Sequence, residues 1–204
     1  NYNVYEANPW HYFVQVDNSG TENVEWAPRF GLINTNLLGY DDKLTAIYQT
    51  VPDSTWNEDY AVFGSYDFPV LGPKLRLNLY AGYNEFDIPA GDDNFLGYGS
   101  FYGGRFRYNL YQKNDWFFDV LAGVSYVRSK VTPELEDLFG LGALLETDIR
   151  LFLWDWGVEI SQTDDMTDTT LAYTQTGTID TSEAEEMALS RPGVGTHFNI
   201  HTVS

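Results

Sequence analysis

The sequence predicts an all-β protein, a transmembrane antiparallel up-and-down β-barrel with about ten strands. Apolar side chains recur at a period of two through most of the chain, the mark of strands with one apolar and one small or polar face. Aromatics make up 17% of the residues, 15 of them tyrosine, and 18 glycines interrupt runs that would otherwise be continuous. That mixture suits pleated, half-buried strands and disfavours helix interiors.

The first strand is expected from Pro9 to Asp17, with Trp10, Tyr12, Val14 and Val16 on one face and His11, Gln15 and Asp17 on the other. Asn18-Ser19-Gly20-Thr21 is its turn. The second runs from Val24 to about Asn34 and opposes Trp26, Phe30 and Leu32 to Glu25, Ala27, Arg29 and Gly31. Pro28 interrupts its ladder, since proline cannot donate. Lys43 to Val51 forms the third, the polar stretch Pro52 to Asp59 a loop, and Tyr60 to Phe68 the fourth. After the tight turn Leu71-Gly72-Pro73, Lys74 to Asn84 sets Leu75, Leu77, Leu79, Ala81 and Tyr83 against Lys74, Arg76, Asn78, Tyr80, Gly82 and Asn84. Asp87 to Asn94 reads as an acidic, glycine-bearing loop.

The sixth and seventh strands, between Phe95 and Arg128, form the clearest hairpin, joined by Gln112-Lys113-Asn114-Asp115. Thr132 to Gly142 is a longer connection with room for a helical turn. An eighth strand is expected from Leu144 to Trp154, with Glu146, Asp148 and Arg150 on its polar face, and a short ninth from Trp156 to Ser161. Gln162 to Pro192, rich in Asp, Thr and Glu without periodicity, reads as a long exposed loop. A tenth strand occupies Gly195 to Ser204. No repeat or shift of composition marks a second domain, so residues 1–204 form one barrel segment.

Charge excludes one class of partner. With 30 Asp and Glu against 11 Lys and Arg, a formal net charge of −19 argues against nucleic acid. The absence of cysteine excludes a disulfide-stapled fold. No run approaches the ~20 apolar residues of a spanning helix, and the start NYNVYEANPW has neither the basic end nor the apolar centre of a signal peptide. Spanning strands need only ~9 to 11 residues each, so a barrel is untouched by that observation.

No catalytic constellation stands out: there is no cysteine, G-x-S-x-G, phosphate loop or H-E-x-x-H, so neither an enzyme nor a cofactor is expected. His197 and His201 lie four apart but have no carboxylate or cysteine at ligand spacing, and read as polar lumen surface. Asp164, Asp165 and Asp168 read as a solvated acidic loop rather than a Ca²⁺ site. No metal site is expected.

A lipocalin-like soluble barrel puts apolar side chains inside, and an outer-membrane barrel reverses this. The polar face here is glycine-rich with a sparse set of charges. Trp10, Tyr12, Tyr66, Phe68, Tyr108, Leu110, Trp116 and Trp154 lie beside the predicted tight turns or the chain's start, where an aromatic girdle would sit. Connections after even-numbered strands are tight and those after odd-numbered strands long, the asymmetry of outer-membrane barrels. The lumen-facing charges are then expected to be Arg76, Arg105, Arg107, Asp119, Glu146, Asp148 and Arg150. Mutual pairing would stiffen the wall, and the same residues would offer an extended polypeptide a polar path.

The turns Asp17-Asn18-Ser19-Gly20, Asn36-Leu37-Leu38-Gly39-Tyr40-Asp41-Asp42 and Tyr66-Asp67-Phe68-Pro69 carry a resemblance to a known family. The segments around them resemble the start of the barrel in the haemolysin secretion/activation proteins, the transporter half of two-partner secretion. LLETDIRLFLWDWG and SRPGVGTHFNIHTVS also look like mid-barrel strands of that family. The resemblance implies a larger barrel of about sixteen strands, of which this chain would be the N-terminal part. It departs from the pattern in lacking periplasmic transport domains and the Val-Arg-Gly-Tyr/Phe element of the inward-folded loop, which would follow the eleventh strand. It implies an outer-membrane location, with outer-membrane lipid, a secreted polypeptide and other outer-membrane subunits as partners. A passive or structural porin, a barrel-assembly insertase of the same superfamily and a complete ten-stranded barrel are the alternatives within the membrane.

Overall fold

A computed structural model describes residues 8–17, 26–50, 60–90, 93–133, 147–163, 167–182 and 196–204. Ten strands follow one another: β1 (Trp10–Asp17), β2 (Ala27–Asn34), β3 (Lys43–Thr50), β4 (Tyr60–Pro69), β5 (Leu75–Ala90), β6 (Asp93–Lys113), β7 (Trp116–Pro133), β8 (Thr147–Thr163), β9 (Asp168–Thr181) and β10 (Asn199–Val203). They form one sheet in sequence order, every neighbouring pair antiparallel. The all-β, up-and-down architecture is the predicted one. Among the described residues no helix occurs, and β1 and β10 are the sheet's two edges.

The connections at one end are built for tight reversal. Backbone in the left-handed region occurs at Gly39 and Asp41 between β2 and β3, at Gly72 between β4 and β5, and at Asn114 between β6 and β7. Glycine, asparagine and aspartate tolerate that region best, which is why these residues close the turns. The row of partners that crosses Asn34 at the end of β2 meets Tyr66, Gly104 and Trp154 well inside β4, β6 and β8. Such a progressive stagger is the geometry of tilted strands in a barrel wall.

The strand set differs from the predicted one in three places. Of the predicted loop Asp87 to Asn94, residues 87–90 belong to β5 and 93–94 to β6, paired as far as Ala90 and Asp93. The predicted eighth and ninth strands are one strand, because Asp155 between Trp154 and Trp156 is simply the next inward residue and not a turn. Part of the predicted loop from Gln162 to Pro192 is β9, held between β8 and β10. The predicted connections 18–21 and 52–59 lie outside the described residues; of the connection predicted from Thr132 to Gly142, Thr132 and Pro133 end β7 and 134–142 lie outside the described residues.

One face of the sheet is apolar and open. It carries Tyr12, Val14, Phe30, Tyr48, Val62, Leu79, Tyr102, Phe106, Val124, Trp156 and Ile160, all exposed. Leu121 is the one apolar side chain among the described residues that is buried, and the most deeply buried large side chains are the polar Asn34, Thr50 and Asp42. A sheet with this much exposed apolar surface far exceeds the patches that water-soluble monomers carry.

The opposite face is the crowded one, and the sheet bends toward it. Phe63 of β4 stacks on Phe101 of β6 with ring centroids 6.2 Å apart. Two strand spacings measure ~9.5 Å, so the rings meet by leaning inward across β5. Gly82 of β5 lies beneath Phe101, where an added Cβ would come within 2.5 Å of the ring. The apolar face is therefore convex and the polar face concave, the reverse of a lipocalin.

Candidate functional site

The concave face gathers its charges into a network across β5 to β8. Alternation puts Arg76 of β5, Arg105 and Arg107 of β6, Asp119 of β7, and Asp155 and Glu159 of β8 on this face. Arg105 Nε lies 2.9 Å from Asp155 Oδ2, across the intervening strand. Its approach is out of line for a good hydrogen bond, and attraction between opposite charges holds the pair. Arg107 Nη2 meets Glu159 Oε2 at 3.1 Å, again two strands away, and its Nε lies 3.9 Å from Asp119 Oδ2. Asn109 Nδ2 donates to Asp119 Oδ1 at 2.7 Å. Arg76 bridges Asp67 of β4 and Asp41 of the β2–β3 turn, which ties a turn to the wall.

The network is layered by depth. The side chains of Asp155, Asp119 and Glu159 are 5%, 10% and 16% exposed, against 41% and 49% for Arg105 and Arg107. The carboxylates lie against the sheet and the guanidiniums cap them, so the open space meets N–H donors. A cavity of about 570 Å³ on this face is lined by Lys43, Asp67, Arg76, Tyr80, Arg105 and Arg107 among others. Polar donors spaced along a concave surface can hydrogen-bond passing carbonyls and carboxylates while the buried acids keep the wall close to neutral.

Arg76, Arg105, Arg107 and Asp119 thus come together on one face. Asp148 and Arg150 do not join them. They stand on the opposite, apolar face of the sheet, because Arg150 pairs with Arg128 and the same row continues through Tyr126 and Phe152. Along β8 the two faces exchange polarity: positions 148 and 150 are charged and 152 to 160 apolar, whereas Leu151 and Leu153 give way to Asp155 and Glu159. Splitting the strand at Trp154 hides that exchange from the sequence. Glu146 lies outside the described residues. The acids that complete the network, Asp41, Asp67, Asp155 and Glu159, escaped the sequence analysis; for Asp155 and Glu159 the missed signal is the period of two running through Trp154, Trp156 and Val158.

Other sequence candidates disperse. His201 faces with Gln175 and Trp156 on the apolar side rather than the charged one, and its Nδ1 shares a hydrogen bond with Tyr173 OH at 2.8 Å. His197 instead contacts Thr196 Oγ1. Asp168 opens β9, and Asp164 and Asp165 lie outside the described residues. Among the described residues no three His, Cys, Asp or Glu gather as a metal site would require. Trp154 sits within the apolar face over Gly177, not in a girdle at a turn.

No family model matches the sequence, and no curated protein matches it. Among solved structures the chain is similar to CdiB from Escherichia coli, with a TM-score of 0.62 at 15% identity over 86% of this chain. The chain spans 32% of that neighbour's length. At this identity the likeness bears on the fold, and CdiB is a β-barrel.

Proposed function

We propose that the chain forms part of the wall of an outer-membrane β-barrel that moves an unfolded polypeptide outward, a transporter of the two-partner secretion type. The observation that carries the membrane part is the pair of opposed faces. The apolar face runs from Phe118 to Tyr126 on β7 and from Phe152 to Ile160 on β8, the ~9 to 11 residues a tilted strand needs to cross a bilayer. Its convexity directs it to lipid and leaves Arg105, Arg107 and Asp119 to the lumen.

The transport part is supported by two likenesses. The turn motifs of the sequence resemble haemolysin secretion/activation proteins, and the fold resembles CdiB, itself a two-partner secretion transporter. Transport of this kind requires no covalent chemistry from the wall, only a hydrated polar path. A passive pore is the alternative, favoured by ion pairs that are satisfied within the wall and so commit no charge to a cargo. An insertase of the same superfamily would share the wall and differ in acting on unfolded barrel substrates.

Conductance of the purified protein in planar bilayers, with and without a candidate secreted partner, tests the proposal. Channels that the partner blocks or modulates are expected. Channels indifferent to every partner favour the passive pore, and a monomer that stays soluble without detergent removes the membrane altogether.

A further inference from the structure

The concave face holds an apolar stripe as well as a charge network. Phe13 of β1 stands opposite Gly31 of β2, and the same row continues through Ile47, Phe63, Gly82, Phe101 and Val127 to Leu151 of β8. Eight strands contribute to this row, and none of them contributes a polar side chain. Phe13 lies over Gly31 and Phe101 over Gly82, where an added Cβ would collide with the ring. Phe63 leans across Gly82 onto Phe101, so the rings close the gap that the glycine would leave. The six side chains remain half-buried and keep part of their surface toward the concave space.

The stripe slants from the tight-turn end of the sheet toward the other. Phe13 is three residues from Trp10, at the tight-turn end of β1, whereas Leu151 is twelve from Thr163, at that end of β8. Phe63 lies between them, six residues from Pro69. Strands tilted by 35–45° carry a row of eight through about 20 Å of height, most of the ~25 Å of an apolar band. The rows on either side are mostly polar. Thr45, Ser65, Tyr80 and Ser125 follow the stripe on its tight-turn side, and Asn84 and Ser129 follow it on the other. Hydroxyls and carboxamides both donate and accept hydrogen bonds.

Length and chemistry together identify the occupant. A lipid or small ligand fills one pocket, whereas a track that climbs the wall suits a linear polymer passing along it. Peptide N–H and C=O groups need partners of both kinds, which the flanking rows supply, and the stripe takes apolar side chains out of water. We infer that the stripe from Phe13 to Leu151 holds the bulky apolar side chains of an unfolded polypeptide in transit. The wall then grips apolar segments of its substrate and lets glycine- and serine-rich ones pass. The inference rests on the transport reading proposed above and adds the substrate chemistry to it.

The test measures block of single channels formed by the full chain in planar bilayers. The probes are two unstructured glycine–serine peptides with the same lysine tail, one of them carrying several phenylalanines. The phenylalanine peptide is expected to dwell about fivefold longer in the channel, the effect of partly burying one large apolar side chain. Phe63→Thr, Phe101→Thr should shorten that dwell about threefold and leave the plain peptide's dwell unchanged. Equal dwell of the two peptides in the wild-type channel overturns the inference, as does a phenylalanine dwell that the threonine pair leaves unchanged. A fall shared equally by both peptides also overturns it, since it assigns the rings to the wall alone. Should the pair not fold, Val127→Thr carries the test, a near-isosteric change to a residue that strands favour. A fall of about twofold in the phenylalanine dwell is then expected, and no fall overturns the inference. A chain that forms no channels overturns the membrane reading itself, an outcome separate from channels that hold both peptides equally.

Discussion

Arg105 reaches over Gly123 to the carboxylate of Asp155, bridging β6 and β8 at 2.9 Å above the strand between them. Gly123 makes the crossing possible: a Cβ there would lie 2.7 Å from Asp155 Oδ1 and 3.0 Å from the Gly104 carbonyl oxygen. Gly123→Ala is therefore expected to push the pair apart and leave Asp155 buried without its cation. Because Arg105 is partly exposed, the loss should be about 1–3 kcal/mol, below that for a fully buried pair. Urea titration of the refolded protein in detergent measures it. Stability unchanged in Gly123→Ala would mean the pair contributes nothing to the wall.

Face assignment is the most direct consequence of the register. Val124 and Ser125 are sequence neighbours on opposite faces of β7, paired with Trp154 and Leu153. A spin label at Val124 should be accessible to oxygen dissolved in lipid, and one at Ser125 to a water-soluble nickel reagent. Equal access at the two sites would remove the barrel.

Legibility followed contrast between faces. In β5, β6 and β7 a leucine- or aromatic-rich face opposes glycine, asparagine and arginine, so the period of two emerges from local sequence and with it Arg76, Arg105, Arg107 and Asp119. In β9, DTTLAYTQTGTIDT, threonine occupies both faces and the contrast vanishes, although the backbone pairs normally with β8 and β10. In β8 the contrast reverses midway, which split one strand into two and sent Asp148 and Arg150 to the wrong face. The split strand and the missed one offset each other, so the described residues also hold ten strands while the membership differs. Contacts two strands apart, such as Arg107 with Glu159, arise from curvature and have no local signature.

Charge should be tolerated on one face and not the other. Ala122 lies in the middle of the convex band, paired with Phe106 and Trp156. Ala122→Arg is expected to cost about 2–4 kcal/mol of folding stability in vesicles, the penalty for arginine at the bilayer midplane. Ser125→Arg, on the concave face, should cost less than about 1 kcal/mol. Folding titrations into vesicles compare the two, and equal penalties would contradict the facing of β7.

The β2–β3 turn predicts an acid-sensitive element outside the strands. Asp42 is buried, and its carboxylate accepts from Leu38 N at 3.1 Å, Tyr40 N at 3.2 Å and Tyr66 OH at 2.9 Å. Burial pushes this carboxyl up, but the hydrogen bonds from Tyr66, Tyr40 and Leu38 outweigh it and hold it below the usual carboxylate range. A carboxyl depressed in the folded state contributes stability that is complete above its unfolded pKa, ~3.9, and is lost as pH falls through the lower folded value. Asp42→Asn keeps an acceptor but cannot titrate, so it should lower stability at neutral pH and flatten the decline below pH ~4. Asp42→Ala, which leaves the Leu38 and Tyr40 amides without their acceptor, should destabilise further and free the turn that Arg76 anchors through Asp41. Urea midpoints across acid pH for the three proteins decide the matter. An asparagine variant with the wild-type acid limb would assign that limb to other carboxylates and reduce Asp42 to a neutral turn residue.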